Sequence, residues 1–320
     1  MLALAAAALT ALVAAGLGGC GSRGPGGSVS AKSGTARAAG TAGAGPGTAA
    51  RPRPAPPPPP PQLPLGGRRL LPDYRVVAHY GTAGTGALGI LGQGSPEQAA
   101  GRVAAAAAPF AQPGRPAQPA MELIASVATS FPGPDGHYSR MLPAAEIEPY
   151  YRAAHRHREL LVLDLQPGQA DFLTQARAYE PFLIRPDVGL AVDAEWKMDP
   201  GVVPGRAIGH TDAATLNQVS AWLAGLARSH RLPQKLFVIH QFTASMITNR
   251  PAVVAWPELA TVLHVDGFGG QEIKKEKYAQ LAAAQPLADG IKLFLTQDDD
   301  MMSPAQALAL RPQPDLITYQ

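Results

Sequence analysis

The chain has 320 residues, of which 46% are hydrophobic and 16% are charged, and its formal net charge is +3. This length and apolar content allow one large folded domain or two smaller ones. The basic residues do not gather with aromatic residues in one stripe, which excludes the usual pattern of a nucleic-acid-binding protein, and we expect no nucleic-acid partner.

The amino-terminal segment is an apolar Ala/Leu run over residues 1–17, followed by two glycines and Cys20. The run is too short to cross a bilayer comfortably and has the character of a signal-peptide core. The sequence Leu17-Gly18-Gly19-Cys20 resembles the lipobox of bacterial lipoproteins. That resemblance implies a signal peptide over residues 1–19, lipidation of Cys20, and a lipid-anchored protein on the extracytoplasmic face of the cell membrane. Cys20 is the only cysteine, so an intrachain disulfide is excluded.

Residues 20–68 consist mostly of Gly, Ala, Ser, Thr and Pro, and they include an unbroken proline run over residues 56–61. Such a segment lacks the apolar side chains that would offset the entropy lost on ordering. We therefore expect a disordered tether, flexible at first and stiffer through the prolines, between the anchor and a folded domain over residues 69–320.

Within that domain, strand-like runs alternate with helix-like segments. The strands are predicted at residues 75–80, 121–129, 160–166, 188–196, 235–242, 261–268, 290–297 and 315–319. The helices are predicted at residues 96–108, 142–159, 169–179, 212–230, 272–284 and 304–310, with Ser95, Thr211 and Ser303 as N-caps.

Eight strands alternating with helices predict an α/β fold of the (β/α)8, or TIM, barrel type. An open doubly wound sheet is the main alternative, but no convincing phosphate-binding glycine loop follows the first strand. The glycine-rich segment over residues 81–94 is instead expected to shape the rim of the site.

Side chains alternate along a strand, so placing the apolar residues under the helices sets which residues face the barrel interior. On the fourth strand this phase directs Asp193 and Glu195 inward at the carboxyl end, where such barrels carry their active sites. The third and sixth strands direct Asp164 and Asp266 inward in the same way. These four acids, Glu195, Asp193, Asp164 and Asp266, are the candidate catalytic residues.

The same phase yields a set of candidate substrate-binding residues near the strand ends. On the first strand it leaves open whether His79 or Tyr80 faces inward, and on the fifth whether His240 or Gln241 does. The full set is His79, Tyr80, Ser126, Gln166, Trp196, His240, Gln241, His264, Lys292 and Thr296.

Four neighbouring acids with few counter-charges should differ in proton affinity, which suits glycoside hydrolysis by a proton donor and a second carboxylate. The sequence Asp193-Ala194-Glu195-Trp196 resembles the DxE strand of chitinase-like and lysozyme-like glycoside hydrolase barrels. The resemblance implies that Glu195 is the proton donor and Asp193 its supporting acid. Ala191 stands where chitinases have a further Asp, which argues against their substrate-assisted mechanism. Asp164 and Asp266 are candidates for nucleophile, base or sugar ligand.

Three hypotheses follow. The leading one is a surface lipoprotein whose barrel hydrolyses or binds polysaccharide or cell-wall glycan, without a cofactor. The second is a metal-dependent hydrolase using zinc or manganese, although its candidate ligands lie on separate strands and form no short metal-binding motif. The third is a non-catalytic binding protein of the cell envelope that keeps an enzyme-derived pocket.

Overall fold

A computed structural model describes residues 59–282 and 286–320. The predicted signal peptide, Cys20 and most of the predicted tether lie outside the described residues. The barrel strands are β1 (Arg75–Gly81), β2 (Ala117–Ala128), β3 (Leu160–Leu165), β4 (Val188–Asp193), β5 (Lys235–Gln241), β6 (Leu259–Val265), β7 (Ala288–Leu293) and β8 (Leu316–Tyr319).

These eight strands form a closed parallel barrel, which confirms the predicted fold. Each strand pairs with its neighbours in chain order, and β1 closes the ring by pairing in parallel with both β2 and β8. A short antiparallel strand, Ser139–Met141, pairs with the end of β2. Two further short strands, Thr211–Asp212 and Ile247–Thr248, pair with each other.

Helices cover the outside of the barrel. They are α1 (Pro96–Ala107), α2 (Ala144–Arg156), α3 (Phe172–Ala178), α4 (Glu180–Leu183), α5 (Ala213–Ser229), α6 (Gln271–Leu281) and α7 (Pro304–Leu308). The connection from β5 to β6, described throughout, contains two 3-10 turns in place of an α-helix, at Ala244–Met246 and Arg250–Ala252. No helix within residues 59–282 and 286–320 is both long and apolar enough to cross a membrane.

Local capping fixes where several of the helices begin. Ser95 and Ser303 are N-caps as predicted, and each forms a reciprocal capping box with a glutamine three residues later. Helix α5 is capped by Asp212 instead of the predicted Thr211, because the Asp212 carboxylate accepts the backbone N–H of Thr215 at 2.7 Å.

Alternation along the strands separates two apolar layers. On β3, Leu161 and Leu163 pack under the helices, whereas Val162 packs inside the barrel. Leu63 and Leu70 are buried in the same inner layer, near the amino-terminal ends of the strands. The packed structure therefore begins several residues before residue 69, where we predicted the folded domain to start.

Candidate functional site

Above the apolar layer, every strand of the barrel contributes at least one buried polar side chain to the interior. These side chains lie toward the carboxyl ends of the strands. The set comprises Tyr80, Glu122, Asp164, Asp193, His240, His264, Asp266, Lys292 and Thr318. A structural barrel core uses branched apolar residues in these layers, so a complete polar ring marks this end as the candidate active site.

His240 lies at the centre of the ring between two carboxylates. Its Nε2 is 2.9 Å from Oε1 of Glu122, and its Nδ1 is 3.2 Å from Oδ2 of Asp266. Burial and the Lys292 ammonium oppose charge on the imidazole, but the two carboxylates outweigh them and raise the pKa of His240 well above its ordinary value. The ring is therefore an imidazolium that donates both N–H groups.

Lys292 supplies the second buried cation. Its Nζ is 2.7 Å from Oδ2 of Asp266 and lies 3.8 Å from the centroid of the Tyr80 ring. Burial alone would raise the pKa of Asp266, but Lys292 and His240 hold it well below the usual range. Burial also opposes charge on Glu122, yet its contact with His240 lowers the pKa of that carboxyl. Asp266 and Glu122 are thus ionised.

Asp164 and Asp193 lie on β3 and β4, and their pKa values are raised rather than lowered. Oδ2 of Asp164 accepts a hydrogen bond from the Tyr80 hydroxyl at 2.8 Å, while Oδ1 has no hydrogen-bond partner among the described residues. Burial, reinforced by Asp193 and Glu122, raises the pKa of Asp164 to about 7 despite the attraction of His240. Burial likewise raises the pKa of Asp193.

Glu195 lies at the opening of this site, and the strand that we predicted to carry it is shorter than expected. Strand β4 ends at Asp193, and Ala194–Trp196 form a 3-10 turn. The strand ends there because Oδ1 of Asp193 accepts the backbone N–H of Glu195 at 3.2 Å. Glu195 is half-buried, and burial together with Asp193 and Asp266 raises its pKa to about 8.

Two ambiguities of strand phase are resolved. Tyr80 and His240 face the interior, whereas His79 packs edge-on against the Tyr319 ring, 6.1 Å between centroids, on the outer side. Burial there lowers the pKa of His79 to about 4. Gln241 contacts the β5–β6 connection, donating to the Thr243 carbonyl at 2.9 Å. His79 and Gln241, which we predicted as substrate-binding residues, therefore do not face the barrel interior.

Ser126 was also predicted to face the interior, and it does not join the polar ring. The pairing of β2 with β3 shifts register between Ile124 and Ser126, which reverses the alternation. The Ser126 hydroxyl instead donates to Oε1 of Gln175, on α3, at 2.6 Å. Gln166 does belong to the site, because its amide donates to the Tyr80 hydroxyl at 3.2 Å.

The last two predicted residues lie at the rim. Trp196 is half-buried on the turn that carries Glu195. Thr296 is exposed beyond the end of β7, where it lines a shallow pocket of about 120 Å³ with Gln93, Gln297 and residues 86–90. The glycine-rich loop therefore lines this pocket together with residues that follow β7, but none of the four candidate acids lines it.

Two members of the ring, Glu122 and Thr318, were not among the predicted residues. Both were readable in the sequence, because Glu122 shares the phase of Ile124 and Thr318 shares that of Leu316. Glu122 pairs in register with Val162, two residues before Asp164, and so lies deeper in the barrel than the predicted acids, whereas Thr318 lies level with Lys292.

Within the described ranges, no group of three or more His, Cys, Asp or Glu side chains is arranged to hold a metal ion. The physical reason is visible around His240. Two of the carboxylates that could serve as ligands, Glu122 and Asp266, already accept hydrogen bonds from His240 or Lys292.

Comparison with known proteins identifies no relative. No family model matches the chain, and no curated protein matches it significantly. Among solved structures, a crystal structure of tryptophan synthase from M. tuberculosis, in an aminoacrylate- and BRD0059-bound form, is similar to it. That similarity covers 77% of this chain and 82% of that chain, at 15% sequence identity and a TM-score of 0.30. At this level of likeness no function transfers, and the site must be interpreted from its own geometry.

Proposed function

We propose that the barrel hydrolyses glycosidic bonds of a polysaccharide or cell-wall glycan by carboxylate acid/base chemistry. One observation carries the proposal: Glu195, at the opening, has its pKa raised to about 8, while Asp266, nearby, is kept ionised by Lys292 and His240. Glycoside hydrolysis requires such a pair of carboxyl groups, one protonated and one not.

In this proposal the Glu195 carboxyl transfers its proton to the glycosidic oxygen as the bond to the anomeric carbon breaks. The Asp266 carboxylate then either attacks that carbon or takes a proton from the water that attacks it. Asp193 lies directly behind Glu195 and supports it, both by holding the turn and by raising its pKa. The imidazolium of His240 and the Lys292 ammonium keep Asp266 charged.

The rim offers surfaces on which a sugar ring could stack. Trp196 is half-buried beside Glu195, and Phe268, which follows β6, is 47% exposed. Aromatic faces of this kind, next to a few placed polar groups, are typical of ligand sites.

The proposal includes the location predicted from the amino-terminal sequence. Lipidation of Cys20 would anchor the protein to the extracytoplasmic face of the cell membrane, and the proline-rich tether would hold the barrel away from it. Polysaccharide and cell-wall glycan are the partners accessible there.

Hydrolysis is tested by incubating the purified full chain with a panel of polysaccharides and peptidoglycan and measuring new reducing ends. We expect Glu195→Gln to lower kcat by about 10²–10⁴-fold, because it removes the proton donor. The matched control is Asp199→Asn, which changes a 63% exposed carboxylate in the same connection and should leave the rate unchanged. In the wild-type protein, kcat should fall as the pH rises above about 8, where Glu195 loses its proton.

A folded protein that releases no reducing ends from any glycan contradicts the proposal. Glycan binding without hydrolysis, measured by calorimetry, would favour a non-catalytic binding protein. Hydrolysis that is abolished by EDTA and restored by zinc or manganese would favour a metal-dependent hydrolase.

A further inference from the structure

Glu122 is an ionised carboxylate that lies deep in the barrel and makes no contact at the opening. It is 1% exposed, and both of its oxygens accept hydrogen bonds from side chains of other strands. Oε1 accepts from Nε2 of His240 at 2.9 Å, and Oε2 accepts from the Thr318 hydroxyl at 3.1 Å. A fully buried charge of this kind is stabilised only by such partners, so its position is tightly specified.

The hydrogen bonds behind Glu122 have a defined direction. The Thr318 hydroxyl has one proton, which goes to the carboxylate, so its lone pair accepts from Nε2 of His264 at 2.9 Å. His264 is therefore in the Nε2–H form, and its Nδ1 has no hydrogen-bond partner within residues 59–282 and 286–320. Burial and His240 lower the pKa of His264 to about 3, which is consistent with a neutral ring.

On the other side, Glu122 fixes the orientation of His240. With Nε2–H bound to Glu122, the ring presents Nδ1–H to Oδ2 of Asp266 at 3.2 Å. The next acceptor available to Nε2 is Oδ1 of Asp164, which is 3.8 Å away and beyond ordinary hydrogen-bond range. Without Glu122 the imidazole would lose its anchor on the side opposite Asp266.

The positive charge of His240 also depends on Glu122, which is one of the two carboxylates that favour it. The titratable groups around it come from the other strands and from the opening of the barrel. They are Tyr80, Glu122, Asp164, Asp193, His264, Asp266 and Lys292, with Glu195 at the opening. Lys292 and burial favour the neutral ring, and the two hydrogen bonds of the ring both go to carboxylates, those of Glu122 and Asp266.

We propose that Glu122 is a positioning residue, which holds His240 charged and oriented so that its Nδ1–H binds the catalytic carboxylate Asp266. The role of Asp266 in this inference rests on the proposed glycoside hydrolysis. The state of His240 does not, so the two can be tested separately.

The direct test is NMR of ¹⁵N-labelled histidine side chains in the full chain, with the signal of His240 assigned by its loss in His240→Gln. We expect both nitrogens of His240 to be protonated at pH 7 in the wild-type protein. In Glu122→Gln, which keeps the shape but removes the charge, the pKa of His240 should fall by about 1–3, because a touching carboxylate is lost. The acid limb of kcat/KM against pH should move to higher pH as Asp266 loses its charged donor.

Two further variants separate positioning from simple destabilisation. Glu159→Gln changes another fully buried glutamate, just before β3, and should leave the His240 signal unchanged. Thr318→Val removes one donor to Glu122 but keeps the carboxylate, so it should shift the pKa of His240 less than Glu122→Gln does. If Glu122→Gln does not fold, the wild-type spectrum still tests the inference: two protonated nitrogens on His240 at pH 7 support it, and a neutral His240 contradicts it.

A neutral His240 in the wild-type protein at pH 7, or an unchanged His240 titration in Glu122→Gln, would overturn the proposal. If His240 behaves as expected and no glycan is hydrolysed, the hydrolase assignment fails and the anchoring of His240 by Glu122 stands. If glycans are hydrolysed and the acid limb does not move in Glu122→Gln, the positioning role fails by itself.

Discussion

At the scale of single residues, the interior of the barrel separates its carboxyl groups into two kinds. Glu122 contacts His240, and Asp266 contacts both His240 and Lys292, so both carboxylates remain ionised, whereas burial raises the pKa of Asp164 to about 7 and that of Glu195 to about 8. The protonation state of each carboxyl group depends on its contacts, because a buried carboxylate keeps its charge only when a cation or a hydrogen-bond donor contacts it. An acid and a base thus coexist in one site.

Residue-level prediction from the sequence succeeded where alternation is regular and failed where it is interrupted. Asp164, Asp193 and Asp266 were correctly assigned to the interior, because the apolar residues on either side of them set the phase. Ser126 was assigned to the interior incorrectly, because a register shift between neighbouring strands cannot be recognised from the sequence of one strand. Which acids keep their protons also could not be predicted, since that depends on contacts between distant strands.

Glu159 provides a stability test at this scale. It is fully buried, neither of its oxygens has a hydrogen-bond partner in the part of the chain that the structure describes, and burial raises its pKa to about 8. An unfolded glutamate titrates near ~4.3, so between about pH 4.3 and 8 unfolding releases a proton and stability falls as the pH rises. We expect Glu159→Gln to stabilise the protein at pH 8.5 by on the order of 2–5 kcal/mol and to change little at pH 4.5.

The measurement is the free energy of unfolding in denaturant at the two pH values. Glu180→Gln, at an exposed position, is the control and should have a small, pH-independent effect. Equal effects of Glu159→Gln at both pH values would show that the folded-state pKa of Glu159 is ordinary.

At the scale of elements, the turn after β4 determines where the proposed proton donor lies. The sequence pattern predicted the strand itself. The predicted strand ran through Trp196, because Glu195 and Trp196 continue the alternation of inward and outward residues. The strand instead ends at Asp193, where the carboxylate caps the turn, and Gly209 packs against the turn from a loop further along the chain. Contacts between segments distant in sequence decide such endings, and they are not visible in a local pattern.

Gly209 tests the importance of this turn. A Cβ at position 209 would lie 2.4 Å from the Glu195 carbonyl oxygen and 2.5 Å from that of Lys197, and the Gly209 N–H donates to the Glu195 carbonyl at 2.6 Å. We therefore expect Gly209→Ala to displace the turn and lower kcat/KM for glycan hydrolysis at least about tenfold, because a displacement of about 1 Å costs up to ~10²-fold.

Gly225→Ala is the matched control, because a Cβ at that position on α5 meets nothing within 4 Å. It should keep full activity and stabilise the helix by about 0.5–1 kcal/mol. Unchanged kcat/KM in Gly209→Ala would mean that the position of Glu195 is not set by this contact.

At the scale of the whole molecule, the side chains that fill the barrel change from apolar to polar along the barrel axis. Leu63 and Leu70 pack into the apolar layer near the amino-terminal ends of the strands, and the polar ring lies toward their carboxyl ends. The eight-strand count and the rhythm of helices sufficed to predict the barrel. They could not predict the helix-free β5–β6 connection or that residues before 69 would complete the core, since neither has a periodic pattern.

The central claim is that Glu195 is protonated at neutral pH while Asp266 is ionised. It is tested most directly by ¹³C NMR titration of the side-chain carboxyl groups, with the two signals assigned by their loss in Glu195→Gln and Asp266→Asn. We expect the Glu195 signal to titrate near pH 8 and the Asp266 signal to remain that of a carboxylate down to the pH at which the protein unfolds. A Glu195 signal that titrates near the ordinary glutamate value of ~4.3, or an Asp266 signal that is protonated at pH 7, would contradict the account.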